Sequence, residues 1–552
     1  MKNSELSPTL TQYSPSSPDH RKPASLGPSG IDSSRSTSFL SKRRNRCVLL
    51  LSIVAIVVAA QTITTLLNCA PPGPEHTNGL LSLFTKPGPR LCADLPVSPD
   101  HWLLTNANAQ AFVDIPHLAP LHPGDTVCVR VILPARKPNV TMIYAPFPNA
   151  PWDSVLLDMV GSTGVSVPVD LSPVARIEST IKDSVHIYEA DVVLRDVGKY
   201  RPQGFIEFRD AQWNPEGRLL PATYKPEPLL ISDVLEVEVV DSAESPFSLA
   251  RYMDLPLCAE SSPEGRWVSI GDLPFDASTM PSDNHNKVWL PYNCRLQYIT
   301  YKEFAQCLVQ KYPSVHLFGD SNIRRAMKKI TTLGKWCSTQ DERNTTGCVC
   351  EDYREPFDRF DVGKREVLVN IDPINGGMEA SNNATRKSVI RMRKWEGLIE
   401  GSNEPWWKAF EPSGRPDPQI AVISLTNWDA AFSTRAFFAQ ELSRLLNLVD
   451  TTYSNATEII VRTGQYYCCR SDDSSWKRRY SRLRNKLFDK YIIEAFKERF
   501  GGARKLSIWD VASLMEHQPF AARNESVVCN SNHVRSEIVD IENQLLFNYM
   551  CN

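Results

Sequence analysis

The chain has 552 residues, of which 42% are hydrophobic and 22% are charged, and its formal net charge is -2 at pH 7. This apolar content is ordinary for a globular protein, and the length predicts several domains. The near-zero charge argues against a nucleic-acid partner, because proteins that bind DNA or RNA usually carry a basic surplus.

The N-terminal part predicts a membrane anchor. Residues 1–46, rich in Ser and Pro, predict a disordered cytoplasmic tail. Residues 47–67 carry no formal charge and are numerous enough to cross a bilayer as a helix. The basic residues just before them predict a single-pass type II protein with its body in the lumen. A cleaved signal peptide is the alternative, but the long polar lead argues against it.

Sequons and cysteines fit a lumenal body. Of the 14 cysteines, all but Cys47 follow the apolar span, and in an oxidising lumen most of them should pair. The pairs Cys348–Cys350 and Cys468–Cys469 lack further ligands at zinc-finger spacing, so we favour disulfides over a metal site. Five N-glycosylation sequons also follow the span, at Asn139, Asn344, Asn383, Asn455 and Asn524.

Residues 68–90, rich in Pro and Gly, predict a short stem. Residues 91–241 contain short stretches with period-2 alternation, such as "DTVCVRVIL" and "VLEVEVVD", between Pro, Gly and Asp residues. This pattern predicts an immunoglobulin-like β-sandwich. It holds no cluster of catalytic residues, so the sequence favours a spacer or a glycan-contacting module over a catalytic role.

The pattern changes in residues 242–552. "VHLFGD", "IAVISLT", "EIIVRTG" and "KLSIWDV" are apolar runs of strand length, and helical patterns separate them. This alternation predicts an α/β domain with a mainly parallel sheet covered on both faces. Active sites in such sheets lie beyond the carboxyl ends of the strands, where Ser321 is expected.

The stretch "FGDSN" predicts a strand-to-helix turn that exposes Ser321. A serine hydroxyl becomes a good nucleophile when a neighbouring base takes its proton. The N-terminus of the following helix favours developing negative charge. The alternative is that Ser321 only caps an ordinary helix.

Several motifs resemble the PC-esterase branch of the SGNH/GDSL hydrolase superfamily. They are Gly265–Trp267, Trp289–Cys294, Glu303–Leu308, Gly319–Arg324 and the final "CNSNHVRSEIVDIENQLLFNYMC". This branch includes the trichome-birefringence-like and sialic-acid O-acetyltransferases. A preceding immunoglobulin-like domain is similar to the layout of the neurexophilin and PC-esterase proteins. The resemblance implies an SGNH-type three-layer sandwich in residues 242–552.

By position, the resemblance implies that Ser321 is the nucleophile and that its backbone N–H is one oxyanion donor. It implies that His533 is the general base; a surface histidine before a helix is the alternative. The family places an Asp three residues before this His, where this chain has Asn530. Because Asn brings no charge to stabilise an imidazolium, activity is in question. The alternatives are a serine–histidine dyad, in which a backbone carbonyl orients the His, and substitution of the missing carboxylate by Asp510 or another acidic residue.

Two further oxyanion donors are expected after strands. Asn427 in "ISLTNWD" occupies the place of the superfamily's Asn donor, with a turn residue as the alternative. Gly376 or Gly377 in "NIDPINGGM" is a weaker candidate, for which a plain turn is favoured. The basic stretch at residues 476–500 predicts a solvated helix face, with an anionic donor or acidic glycan as the less favoured partner.

These observations predict a membrane-anchored Golgi enzyme whose lumenal body acts on glycan hydroxyls as an O-acetyltransferase or acetylesterase. No bound cofactor is expected. If acetyl-CoA is the donor, a separate protein would have to bring acetyl groups across the membrane. A binding module that has lost catalysis is the alternative, and Asn530 favours it.

Overall fold

The computed structural model describes residues 91–99, 102–108, 110–116, 120–135, 151–174, 185–209, 213, 226–229, 235–241, 245–331, 333–334, 366–371, 388–399, 405–410, 417–466, 481–528 and 533–552. All of these belong to one unit, Pro87–Asn552. The predicted tail, membrane span and stem, residues 1–90, lie outside the described residues.

Two antiparallel sheets form the N-terminal part of this unit. Alternate apolar residues such as Val129, Val131 and Leu157 fill the space between the sheets, which accounts for the period-2 pattern. The first sheet has the order β1-β2-β3-β7-β6, and the second has the order β10-β8-β4-β5 with β9 paired to β8. The elements are α1 (Leu91–Asp94), β1 (Leu103–Asn106), β2 (Ala111–Asp114), β3 (Thr126–Pro134), β4 (Ser154–Gly161), β5 (Ser166–Pro168), β6 (Ser172–Pro173), β7 (Val185–Val193), β8 (Gly198–Phe208), β9 (Glu227–Leu229) and β10 (Val237–Val239).

A two-stranded ladder follows the β-sandwich. Strands β11 (Gly265–Ser269) and β12 (Lys287–Pro291) pair antiparallel, and the rings of Trp267 and Trp289 meet edge to face across them. Short 3-10 helices lie nearby at Leu249–Asp254 and Ile270–Asp272.

A six-stranded sheet organises the C-terminal part in the order β14-β15-β13-β16-β17-β18. Its pairings are parallel except for β14, which runs antiparallel to β15. The elements, apart from the 3-10 helix Trp406–Phe410, are α2 (Tyr301–Lys311), β13 (Ser314–Gly319), α3 (Ser321–Thr331), β14 (Glu366–Ile371), β15 (Ser388–Lys394), β16 (Ile420–Ser424), α4 (Asn427–Phe432), α5 (Arg435–Thr452), β17 (Glu458–Arg462), α6 (Arg482–Phe500), β18 (Leu506–Trp509), α7 (Ala512–Glu516), α8 (Phe520–Ser526), β19 (Val527–Val528), β20 (His533–Val534) and α9 (Ser536–Cys551).

Helices cover both faces of this sheet. Val315 and Leu317 of β13 pack with α2, α3 and α9, whereas Phe318 packs on the opposite side with α5 and α6. Because both faces are buried, the central strands are continuous apolar runs, and the four stretches singled out in the sequence all form strands.

Three disulfides join described cysteines: Cys92–Cys128, Cys258–Cys294 and Cys307–Cys551. The last one ties the end of α9 to α2. Asp191 lies beside the first bridge, but these cysteines are bonded to each other and not available to a metal. The pairs Cys348–Cys350 and Cys468–Cys469 lie outside the described residues.

The structure corrects the predicted fold class. In place of an SGNH-type three-layer sandwich behind an immunoglobulin-like domain and a membrane helix, the described residues show mixed α/β content, with several antiparallel sheets and a single sheet of parallel strands. The local pattern identifies strands but does not encode their partners or directions. The antiparallel β14 and the ladder of β11 with β12 were therefore missed.

The predicted localisation is also corrected. Among the described residues, no helix has the length and apolar character needed to cross a membrane. Residues 47–67, on which the prediction depended, lie outside them. The single-pass anchor and the type II Golgi localisation are therefore not supported.

Candidate active site

Ser321 begins α3 at the carboxyl end of β13, as the sequence predicts. The chain turns sharply here, and Gly319 permits the turn. A Cβ at Gly319 would lie 2.6 Å from the Ile323 side chain and 2.8 Å from Cβ of Ser424. A larger residue would therefore push α3 away from the neighbouring strand β16 and move Ser321 with it.

Asp320 stabilises the same turn. Its carboxylate is buried and accepts hydrogen bonds from the backbone N–H of Asn322 at 2.8 Å and from the Asn322 side chain at 3.3 Å. Burial raises the pKa of Asp320, while these hydrogen bonds and the charge of Arg462 oppose that rise. Asp320 therefore shapes the turn, and its contacts do not place it in the role of a base for Ser321.

His533 lies against Ser321 although 212 positions separate the two residues. The distance from Ser321 Oγ to His533 Nε2 is 2.7 Å, and both side chains are half-buried. The predicted contact is therefore present. In the tautomer that carries its proton on Nδ1, the imidazole accepts the hydroxyl hydrogen through Nε2, which is the arrangement that general-base activation requires.

A buried arginine connects the two halves of this pair. Arg325 lies one helical turn after Ser321, and its Nη2 donates to the carbonyl of Val534 at 2.7 Å. Val534 is the neighbour of His533 in β20, so α3 holds both the serine and the strand that carries the histidine. No pattern in the sequence indicates this contact, because 209 positions separate Arg325 from Val534.

The third member of a triad is not defined among the described residues. Asn530 lies outside them. Asp510, the suggested substitute, accepts from Thr463 Oγ1 at 3.0 Å and from the backbone N–H and hydroxyl of Ser513. The carboxylate of Asp510 is therefore engaged at the start of α7, and these contacts do not connect it to His533.

Asn427 is buried and held rigidly at the carboxyl end of β16. Its Nδ2 donates to the carbonyl of Gln465 at 2.7 Å, and its Oδ1 accepts from the backbone N–H of Gln465 at 2.9 Å. The side chain of Asn322, next to Ser321, lies 3.5 Å from the same oxygen. An amide nitrogen carries two hydrogens and Gln465 takes one, so the chemistry allows the second to serve an oxyanion.

Thr426, just before Asn427, has a strained backbone. Its φ is 84° and its ψ is -64°, and the N–H of Asn427 bonds to the carbonyl of Leu425 at 3.2 Å. This is the rarer form of γ-turn, which is unusual for a β-branched residue. Such strain is maintained where the surroundings enforce it and is common at functional sites. A sequence pattern would not predict it, since threonine avoids positive φ.

Two buried carboxyl groups enforce this turn. Asp429 accepts from the backbone N–H of Thr426 at 3.1 Å, and Asp489 of α6 accepts from the Thr426 hydroxyl and from the N–H of Gly464. Burial raises the pKa of Asp429 to about 7 and that of Asp489 to about 8. A Cβ at Gly464 would lie 2.7 Å from Thr426 Cγ2, so this glycine is needed for close approach.

Residues 482–500 of the basic stretch form the whole of α6, and residues 476–480 lie outside the described residues. The first half of α6 borders a cleft of about 710 Å³ beside the β-sandwich. Arg482 pairs with Glu516 at 3.2 Å, and Lys486 pairs with Asp170. Leu483 and Leu487 of the same face pack against the sandwich residues Phe208 and Trp213. Arg482 and Lys486 therefore have carboxylate partners within the protein, and neither requires an anionic ligand.

The remaining predicted positions are distributed as follows. Gly376 and Gly377 lie outside the described residues, as do Asn139, Asn344 and Asn383. Asn524 lies in α8. Asn455 is exposed between α5 and β17, and its side chain accepts from Arg504 at 3.3 Å.

Comparisons of the chain with protein-family models, with curated proteins and with solved structures give no match. The resemblance to the PC-esterase branch therefore stays a prediction that depends on the motifs themselves. The geometry of Ser321 and His533 is independent of that resemblance.

Proposed function

We propose that this chain is a serine-dependent acyl-transfer enzyme that moves an acetyl group onto or off a glycan hydroxyl. The observation that supports the proposal is the 2.7 Å hydrogen bond between Ser321 Oγ and His533 Nε2 at the start of a helix. The acetyl group and the sugar acceptor are supported by the motif resemblance alone.

The arrangement suits a two-step reaction. Ser321 Oγ bonds to the carbonyl carbon of the acyl donor while His533 takes the hydroxyl proton, and that proton passes to the leaving group as its bond to the carbonyl breaks. A sugar hydroxyl or water then attacks the acyl-enzyme and gives its proton to His533. The bond between the acyl carbon and Ser321 Oγ then breaks as His533 returns the proton to that oxygen, which restores the serine hydroxyl. In this proposal the backbone N–H of Ser321, at the positive end of the α3 dipole, and Nδ2 of Asn427 donate to the developing oxyanion. The N–H of Asn322 is already bonded to Asp320.

The alternative function is a binding module that has lost catalysis. The observation that favours it is Asn530, which stands where the resembling family has a carboxylate. A neutral side chain can orient an imidazole but cannot balance the charge of an imidazolium.

Covalent labelling distinguishes the two functions. The purified full chain is treated with a fluorophosphonate probe, and wild type is compared with Ser321→Ala and with the matched control Ser454→Ala, an exposed serine after α5. We expect labelling of wild type and of Ser454→Ala, and none of Ser321→Ala. If wild type is not labelled but Asn530→Asp is, the chain is a disabled enzyme. If neither is labelled, the acyl-transfer proposal is wrong.

A further inference from the structure

The β-sandwich is packed into the C-terminal part of the protein. Leu156 of β4 belongs to the same apolar core as Phe520 of α8 and Val534 of β20. The ring of Phe205 in β8 meets that of Phe520 edge to face, with centroids 5.1 Å apart. The β-sandwich and the C-terminal part therefore share one apolar core at this interface.

A buried ion pair lies in this interface. Arg523 of α8 donates from Nη2 to Asp158 of β4 at 2.9 Å, and both side chains are almost fully buried. The same nitrogen also lies within hydrogen-bonding distance of the carbonyls of Glu516 and Gln518. Burial raises the pKa of Asp158, and the charge of Arg523 opposes that rise. Removing one partner of such a pair leaves a charge buried without compensation.

Arg523 is connected to two segments of the candidate site: the strand that carries His533, and the Gln465–Tyr466 segment that holds Asn427. Its helix, α8, continues directly into β19, and β19 pairs with β20 so that Val528 lies opposite His533. Its guanidinium also lies against the rings of Phe520, at 4.7 Å, and Tyr466, at 5.1 Å. Tyr466 follows Gln465, whose backbone holds the Asn427 side chain.

We infer that the β-sandwich positions parts of the candidate active site through the Asp158–Arg523 pair. Both residues are positioning residues, for His533 and for the Gln465–Tyr466 segment. The inference rests on the proposed function for its catalytic meaning. The pair does not touch the reacting atoms. It fixes the segment from which the imidazole projects, so its loss changes the imidazole's position before it changes the fold.

The test compares Asp158→Asn, Arg523→Met and Arg523→Lys with Arg201→Gln. Asp158→Asn keeps the shape of the side chain and removes its charge, and Arg523→Lys keeps the charge and loses the fork of donors. Arg201 of β8 is the matched control, because it pairs with Glu236 on an exposed part of the same sandwich. All variants are studied as the full chain at a temperature where circular dichroism shows them folded.

Two measurements are made on each variant. Hydrogen–deuterium exchange follows the backbone amides of residues 520–534. The rate constant of fluorophosphonate labelling at Ser321 is measured from pH 5 to 9, and its midpoint reports the titration of His533. We expect exchange at least fivefold faster, labelling about tenfold slower and a shifted midpoint in Asp158→Asn and Arg523→Met. Arg523→Lys should fall between these variants and wild type, and Arg201→Gln should match wild type.

The outcomes separate the two proposals. If exchange, labelling and midpoint match wild type while only the unfolding temperature falls, the pair merely stabilises the fold and the inference is wrong. If wild type is not labelled at all, the proposed function fails. The exchange of residues 520–534 then still decides whether the sandwich positions the His533 strand.

Discussion

The β-sandwich and the carboxyl edge of the parallel strands both bury ionisable groups, but they do so differently. In the sandwich, Arg130 is fully buried and donates to Asp114, Glu189 and the backbone carbonyls of the Cys92–Pro96 segment. At the carboxyl edge, the buried acids Asp429 and Asp489 have raised pKa values and surround a strained turn.

The difference shows that buried ionisable groups alone do not indicate a functional site. The Arg130 cluster stabilises the fold, because its donors are directed at acceptors of the same β-sandwich. The edge near Ser321 differs because a half-buried hydroxyl and a half-buried imidazole meet there, and the buried groups hold the backbone around them.

The largest effect is expected from His533→Ala. Removing a general base slows the reaction by about 10²–10⁴-fold. We therefore expect fluorophosphonate labelling of Ser321 to slow by that factor while the unfolding temperature stays near that of wild type, since His533 is half-buried. His122→Ala, at an exposed sandwich position, is the control. Labelling of His533→Ala at the wild-type rate would contradict the role of the base.

Arg130→Met should show the opposite behaviour. It leaves Asp114 and Glu189 buried without their partner, which destabilises a protein by about 3–5 kcal/mol. Urea unfolding measures the loss, and the labelling rate of the folded molecules should not change. Arg201→Met removes only an exposed pair and should cost less than about 1 kcal/mol. A similarly small loss for Arg130→Met would show that the comparison is wrong.

The free energy of unfolding should depend on pH because of Asp489, a buried acid at the carboxyl edge. Because the pKa of Asp489 is raised from 3.8 to about 8, the folded protein keeps a proton that the unfolded chain releases above pH 4. The stabilisation is present at low pH and is lost as pH rises towards 8, at up to about 1.4 kcal/mol per pH unit.

Urea unfolding between pH 5 and 9 measures this slope, which Asp489→Asn should reduce. Asp276→Asn is the control, because Asp276 is exposed and its hydrogen bonds with Ser278 lower its pKa. An unchanged slope in Asp489→Asn would show that Asp489 is ionised throughout this range.

The smallest effect is expected from Arg325→Met. It removes the hydrogen bond that holds the Val534 carbonyl, and we expect labelling of Ser321 to slow about tenfold, which corresponds to about 1.4 kcal/mol. Lys497→Met, on an exposed part of α6, is the matched control. Equal labelling rates in the two variants would mean that β20 is held without Arg325.

The hydrophobic pattern of the sequence predicts which segments form strands and helices, because it records which faces of each segment are buried. The runs in β13, β16 and β17 are apolar because helices cover both faces, and Ile323, Met327 and Ile330 recur at helical spacing because α3 packs on one face. Strand order and direction depend on contacts between distant segments, which these periodicities do not record.

The site follows the same rule. Ser321 could be found from its strand-to-helix turn, but its approach to His533 was expected only through the motif resemblance. The contacts of Arg325 with Val534 and of Arg523 with Asp158 join residues 209 and 365 positions apart. No residue spacing in the sequence predicts such pairs. The positive φ of Thr426 could not be predicted either, because a β-branched residue disfavours it.

The Cys307–Cys551 bridge gives the molecule a sensitivity to reducing agents. The bridge joins α2 to the end of α9, and the two cysteines are 244 positions apart. The strand of His533 lies just before the start of α9. A thiol reagent would restore much of the freedom of the unfolded chain, since long loops lose the most when they are closed. Dithiothreitol in a storage buffer would therefore lower the free energy of unfolding, and preparations made with and without it would unfold at different temperatures.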